Sequence, residues 1–493
     1  MSLFSKLKTS GIWQTIEVVV MVIAQFVYIA IMARVLSKPD FGLMAIANSF
    51  VVFGYIFAES GMGAAIIQKK LITNRHINAA LQGGFLFGIV LFLIFFSISA
   101  IIAKFFLQPV LEILIKVISV NFIIQSVSSV SLGKLQKEFK FKEKSIVTTF
   151  SILISYTIGI LLGLYGYGVW SLVVATLLFS ILKTIGFFYF AKIKLLNRIY
   201  IKEWKELFSF GFGIVLLKLN NYVSSNGIIL VLGKIFNPDL LGVFERTFKI
   251  KTLPSTYIGS ILDTIMFPAM SEIQTDNEKL FKIYQHSLGV VNTVLIPTAL
   301  YLIYFSEEIV LILLGKDWLE AVVPLQIMFV VLPFSSSVRM ADSVLRAKGL
   351  VYKNAWRKFM YVIVLILSSA YGAYKYGFIG AALGVTFSFL FNYITMLFLV
   401  RKVFNKSVLE IFLKPILDGL KLATILIIIL LLTNKILNIT TSILFFLVSS
   451  IVLGIIVSFL VWKKPSFFGV YLYETIQRYN KKNDSKFEES EGN

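Results

Sequence analysis

The stretch FNPDLLGVFERTFKIKTLPSTYIGSILDTIMFPAM occupies residues 236–270. It opens on a turn, Asn237-Pro238-Asp239, in which proline has no N–H to give and Asn and Asp side chains bond the nearby backbone. Residues 241–268 then read as one membrane span, since roughly 20 apolar residues cross the hydrocarbon. Yet this span carries Arg246, Lys249 and Lys251. The apolar segment before it, 208–231, carries Lys218. A cation at bilayer depth costs about 2.5–3.5 kcal/mol on insertion scales, so it faces a partner or a water-filled cavity. A membrane protein with a positive interior points to a negatively charged cargo.

The rest of the chain is built from similar segments. It has 493 residues, 58% hydrophobic and only 15% charged, with a mean hydropathy of +0.85. A soluble protein of ordinary composition is about 45–50% apolar and about 25% charged. About fourteen segments reach spanning length: 12–33, 41–66, 79–103, 110–132, 146–164, 169–190, 208–231, 241–268, 283–305, 321–341, 359–374, 377–400, 415–434 and 441–462. The short segment 359–374 is expected to start earlier. The fold class is therefore an all-α polytopic membrane protein. The first run has no small-residue cleavage site after it and reads as an uncleaved helix.

Cysteine is absent, which excludes disulfides and thiolate metal sites. His76 and His286 are the only imidazoles, too few for a histidine metal centre. No cofactor and no metal are expected. The net charge of +21 allows a nucleic-acid reading, but the positive-inside rule accounts for it better. With the N-terminus in the cytoplasm, the basic runs fall on one side: Lys69, Lys70 and Arg75; Lys134 to Lys144; Lys192 to Lys205; Arg346 to Lys358. Both termini are then cytoplasmic, and no nucleic-acid partner is expected. The tail from Lys463 is amphipathic at first, then polar.

Two halves of the chain resemble each other. LSKPDFG (36–42) is echoed by FNPDLLG (236–242), LQKEFKFK (135–142) by LRAKGLVYK (345–353), and YGYGVWS (165–171) by YKYGFIG (374–380). The matches keep their order. The expected organisation is an N-terminal six-helix bundle over 1–206 and a C-terminal one over 207–402. An axis along the membrane normal would relate them, as in transporters built from parallel repeats. Two extra helices occupy 403–462, and 463–493 form a cytoplasmic tail.

The polar residues inside the spans are the candidate site. In 241–268, Arg246, Lys249, Leu253, Tyr257, Ser260 and Asp263 recur at steps of three or four, which places them on one helix face. In 208–231, Lys218, Asn221, Tyr222 and Ser225 do the same. Lys251 stands off the main stripe. Snorkelling to the interface is the competing reading for these cations. The first two spans lean acidic, with Glu17 and Glu59. These two carboxylates either bind a coupling cation or pair with basic residues as a gate. Asn121, Gln125 and Ser128 either extend a cavity or bond neighbouring helices. No phosphate-binding loop, no H-E-x-x-H and no G-x-S-x-G elbow occurs, so the chain is expected not to be an enzyme.

Several stretches resemble polysaccharide flippases of the O-antigen and colanic-acid exporter type, within the multidrug/oligosaccharidyl-lipid/polysaccharide exporter superfamily. They are LSKPDFGLMAIANSF (36–50), FAESGMGAAIIQKK (57–70), LQKEFKFK (135–142), YGYGVWSLV (165–173), VFERTFKIKTLP (243–254), FPAMSEIQTDNEKL (267–280) and LLGKDWLEAVVPLQIM (313–328). The resemblance implies a two-lobed fold of twelve to fourteen helices working by alternating access. It implies translocation of a polyprenyl-pyrophosphate-linked oligosaccharide across the bacterial inner membrane. Arg246 matches an Arg common in the family's eighth helix. Relatives often carry an Arg and an Asp where Ser225 and Ile228 stand here, so a charge pair at that place is in doubt.

Together, the residues and the resemblance assign Lys218, Arg246, Lys249 and Lys251 to the pyrophosphate, and Asn221, Tyr222 and Tyr257 to sugar hydroxyls. Glu17 and Glu59 are assigned to coupling or gating. Membrane lipids, a polysaccharide polymerase and glycosyltransferases are the expected partners. A cation-coupled drug or small-solute antiporter of the same superfamily is the alternative. It would want an acidic interior, and this one leans basic. An enzyme or scaffold of envelope polysaccharide assembly would want a catalytic loop, and none is visible.

Overall fold

A computed structural model describes the backbone of residues 3–58, 62–69, 71–196, 198, 200–437, 444, 446 and 448–450. In chain order the helices are α1 (Leu3–Val35), α2 (Lys38–Ala58), α3 (Met62–Gln68), α4 (Asn74–Phe106), α5 (Val110–Ile118), α6 (Asn121–Lys137), α7 (Phe141–Leu164) and α8 (Val169–Ala191). Then follow α9 (Ile201–Ile235), α10 (Pro238–Glu272), α11 (Asn277–Tyr304), α12 (Ser306–Leu313), α13 (Val322–Phe329), α14 (Leu332–Ala347), α15 (Val351–Phe404) and α16 (Val408–Leu437). A 3₁₀ turn, Lys316–Ala321, precedes α13. No strand occurs among the described residues.

Most expected spans from 12–33 to 415–434 fall on a single described helix, while 110–132 is shared by α5 and α6, 321–341 by α13 and α14 with the end of the 3₁₀ turn, and 41–66 includes residues 59–61, outside the described ones. The last, 441–462, lies largely outside the described residues. Eight of the described helices are long and apolar enough to cross a membrane, nine if the pair Lys316–Phe329 and Leu332–Ala347, bent by 45°, counts as one span. The expected start of 359–374 moves back to Val351, and α15 also holds 377–400. Its two arms meet at Tyr376 and Gly377, where the backbone leaves the helical region. They run back along each other, and the Ser368 hydroxyl donates to the Gly384 carbonyl at 2.8 Å.

The paired sequence matches carry matching geometry. Gly168 has φ 53°, ψ −133°, and Gly377 has φ 58°, ψ −139°. At the end of α6 the Lys140 N–H reaches the Leu135 carbonyl at 2.9 Å, and the Phe139 N–H reaches Gln136 at 3.1 Å. At the end of α14 the Leu350 N–H reaches Leu345 at 2.9 Å, and the Gly349 N–H reaches Arg346 at 3.0 Å. Both are left-handed helix ends of the Schellman type, centred on Phe139 at φ 56° and Gly349 at φ 69°.

The first pair of turns makes a contact with itself. A β-carbon on Gly42 would lie 2.0 Å from the Pro238 carbonyl oxygen, and one on Gly242 would lie 2.1 Å from the Lys38 carbonyl oxygen. Only glycine admits backbones this close. Each repeat thus offers the other the same two features: a bare glycine and a first-turn carbonyl.

Two compact units result. The first holds the described residues up to Glu245 together with Leu313–Gly315; the second holds Arg246–Ile312 and the described residues from Lys316 onward. In the first, α6 packs on α4 and α8, α7 on α1 and α8, and α9 on α2, α3 and α4. In the second, α11 packs on α16 and α14, and α15 on α13 and α14. The second has a core of Leu280, Tyr284, Leu288, Leu332, Val344, Met396 and Val400.

Candidate functional site

The cations of α10 lie in the second unit. Lys251 is 1% exposed. Its ammonium stands 3.4 Å from the centroid of the Phe389 ring and 5.7 Å from that of Phe248. Aromatic faces are negative, so they hold a cation in an apolar setting, at about 2 kcal/mol or more when desolvated. Arg339 of α14 is close enough for its charge to oppose that of Lys251. One turn along both helices, the hydroxyls of Ser255 and Ser335 are 3.2 Å apart. Arg246 is 9% exposed and Lys249 is half-buried.

A second polar cluster sits where α14 meets both arms of α15. Arg357, 6% exposed, donates to Asp342 Oδ1 at 3.1 Å and to Asn354 Oδ1 at 2.9 Å. It also donates to the Asn392 carbonyl at 3.3 Å and to the Asn392 side-chain oxygen. Lys358 pairs with the other Asp342 oxygen at 2.8 Å. Tyr361, one turn on from Arg357, meets the edge of Phe389 with ring centroids 5.7 Å apart, so an aromatic bridge joins this cluster to Lys251.

In the first unit, Glu17 is 5% exposed. It accepts from Lys144 Nζ at 3.1 Å and from the Ser145 hydroxyl at 2.7 Å. The carboxylate is thus in an ion pair with Lys144. Tyr222 is buried on α9, donates to the Ser49 carbonyl at 3.1 Å and packs against Phe53 and Ile56. Asn121 is fully buried, and neither atom of its amide has a hydrogen-bond partner among the described residues; Gln125 accepts from Lys183 at 3.5 Å. Glu59 lies outside the described residues, as do the side chains of Lys218, Asn221 and Tyr257.

Sequence reasoning assigned Arg357 and Lys144 to the cytoplasmic basic runs, and it passed over Arg339. The structure buries Arg357 and turns Lys144 onto Glu17. The available signal was Asp342, an acid three residues beyond Arg339 and at the end of an apolar span.

Residues 31–323 match the family described as polysaccharide biosynthesis protein. The chain belongs to that family. Among the relatives of this chain is an uncharacterized membrane protein in the cps region of Klebsiella pneumoniae. It is 25% identical, covering 82% of this chain and 85% of the relative. The lipopolysaccharide biosynthesis protein WzxC of Escherichia coli (strain K12) is 24% identical, covering 79% of each chain. The fold is similar to that of a solved structure, the lipid II flippase MurJ in its inward closed conformation. That match has a TM-score of 0.68 at 18% identity and covers 96% of this chain and 99% of that one. The chain is a multi-span membrane protein.

Proposed function

We infer that this chain is a flippase. It carries a polyprenyl-pyrophosphate-linked oligosaccharide, such as an O-antigen, capsule or exopolysaccharide repeat unit, from the inner to the outer leaflet of the bacterial inner membrane by alternating access. One observation carries the reading: α10, in a chain of the polysaccharide biosynthesis family, holds Arg246 and Lys251 nine-tenths or more buried. A pyrophosphate crossing hydrocarbon needs such cations as charge-assisted donors.

The same proposal assigns Lys218 and Lys249 to the pyrophosphate and Asn221, Tyr222 and Tyr257 to sugars. It keeps Glu17 and Glu59 as gating or coupling carboxylates. It retains six-helix bundles over 1–206 and 207–402, two further helices over 403–462 and a tail over 463–493. Fourteen spans and cytoplasmic termini complete it. Transport involves no catalysed covalent step. A polymerase and glycosyltransferases acting on the same glycolipid are the working partners.

The test is outer-leaflet appearance of a labelled lipid-linked oligosaccharide in proteoliposomes. The double variant Lys218→Gln, Arg246→Gln should reconstitute normally and lose flipping. Wild-type rates in that variant would overturn the assignment.

A further inference from the structure

Within the second unit, two buried arginine and lysine positions are treated in opposite ways. Arg357 is enclosed by oxygens from Asp342, Asn354 and Asn392. Lys251, more deeply buried, has no carboxylate or hydrogen-bond partner among the described residues, only the faces of Phe389 and Phe248. The charge of Arg339, another cation, opposes its own. Arg339 is half-buried and likewise has no carboxylate or hydrogen-bond partner for its guanidinium among the described residues.

Burying an ion without a counter-ion is strongly unfavourable, and ring faces recover only part of the lost hydration. A like charge beside it makes the arrangement worse. A structural ion would have been given an acid, as Arg357 was. Two such cations side by side are complementary to one group with two or more negative oxygens.

The helix register supports this. Ser255 faces Ser335 at 3.2 Å. Lys251 lies four residues before Ser255, and Arg339 four residues after Ser335. The two helices therefore meet with opposite direction, and the cations form the next rung. Small hydroxyls on the neighbouring rung offer donors for an oxygen. Arg339 is half-buried, and the Phe389 ring lies against the Lys251 ammonium.

We propose that Lys251 and Arg339 form an oxyanion site between α10 and α14 that takes a phosphate or carboxylate group of the transported glycolipid. The inference rests on the flippase reading and adds Arg339 to it. The anion is either the carrier's pyrophosphate or the carboxylate of an acidic sugar. Binding draws the ammonium off the Phe389 face onto the anion.

The experiment uses full-length protein in nanodiscs and follows thermal stability with inorganic pyrophosphate, and separately with glucuronate, against sodium chloride at matched ionic strength. Wild type should gain several degrees with one of the two anions. A pyrophosphate response identifies the carrier; a glucuronate response identifies an acidic glycan. Lys251→Met keeps the packed stem, Arg339→Gln changes a half-exposed residue, and each should abolish the shift. Arg339→Lys should restore part of it. No shift in wild type with either anion, or a shift that survives in both variants, overturns the site. Flipping in proteoliposomes separates the two claims. If wild type and both variants flip equally well, the site falls and the flippase reading stands. If the anion shift is present and variant-sensitive but wild type flips nothing, the flippase reading falls and the site stands.

Discussion

The ammonium of Lys251 rests on the face of Phe389, 3.4 Å from the ring centroid. This contact stands where no acid meets Lys251 among the described residues. Phe389→Leu keeps most of the apolar volume and removes the negative face. It should lower unfolding stability by about 2 kcal/mol, the scale of a desolvated cation–π contact. In a Lys251→Met background the same change should cost far less, because the two residues are then uncoupled. A double-mutant cycle in detergent unfolding measures this. Equal losses in both backgrounds would show that Phe389 acts by packing alone.

Glu17 and Lys144 are joined at 3.1 Å from distant parts of the chain. If their function is the pair, each partner is needed to the same degree. Glu17→Gln and Lys144→Gln should slow flipping to a similar extent, and the double variant should be no slower than either. Each should also lose roughly 1–3 kcal/mol, the range for leaving a buried polar partner unsatisfied. A Glu17 variant that alone loses dependence on an ion gradient, with Lys144→Gln unaffected, would restore the coupling role.

Phe139 and Gly349 hold equivalent left-handed positions at φ 56° and φ 69°. A side chain in that conformation costs about 1–2 kcal/mol. Gly349→Ala should therefore destabilise by about 1 kcal/mol, since nothing lies within 4 Å of the new β-carbon and the backbone term acts alone. Phe139→Gly should recover part of that amount, less the edge contact with Phe141. Thermal unfolding of the two variants checks the pair; a shift of the same sign in both would contradict it.

Glu206 pairs with Lys69 and faces His76 at 3.5 Å, outside the spans. The hydrogen bond and charge of Lys69 hold its carboxyl below the ordinary 4.5. A lowered folded value means the contribution is fully present above pH 4.5 and fades as pH falls through the folded value. The melting-temperature difference between wild type and Glu206→Gln should thus be constant at neutral pH and shrink on the acid side. Salt should reduce it, because the pair is exposed. A difference independent of pH down to strongly acidic conditions would exclude the pair as its source.

The positions of the spans were legible because length and apolarity alone mark them. The helix breaks were not. Ser119 and Val120 interrupt 110–132, and Val330 and Val331 interrupt 321–341, with neither glycine nor proline at the break. Only Pro333, in the first turn of α14, gave a signal. The three repeat matches were legible as turns, and the backbone angles at two of them agree. The site was legible only in part. Lys251, off the α10 stripe, proves to be deeply buried, because tertiary packing rather than helical periodicity chose the buried face. Arg357 escaped because a cation near a helix end reads as a surface charge; its partners Asp342 and Asn392 lie on separate segments that only folding brings together.

Gly42 sits under the first turn that carries Pro238, and Gly242 under the one that carries Lys38. Neither turn can be rebuilt alone, since a side chain added to one glycine pushes on the backbone that locates the other. Chimaeras of related exporters inherit this interlock. A crossover anywhere between residues 42 and 236 brings the two turns from different parents. Any parent with a bulkier residue at either position then disrupts both. Crossovers beyond residue 242 keep the turns together and are where exchange of the C-terminal half should be tolerated.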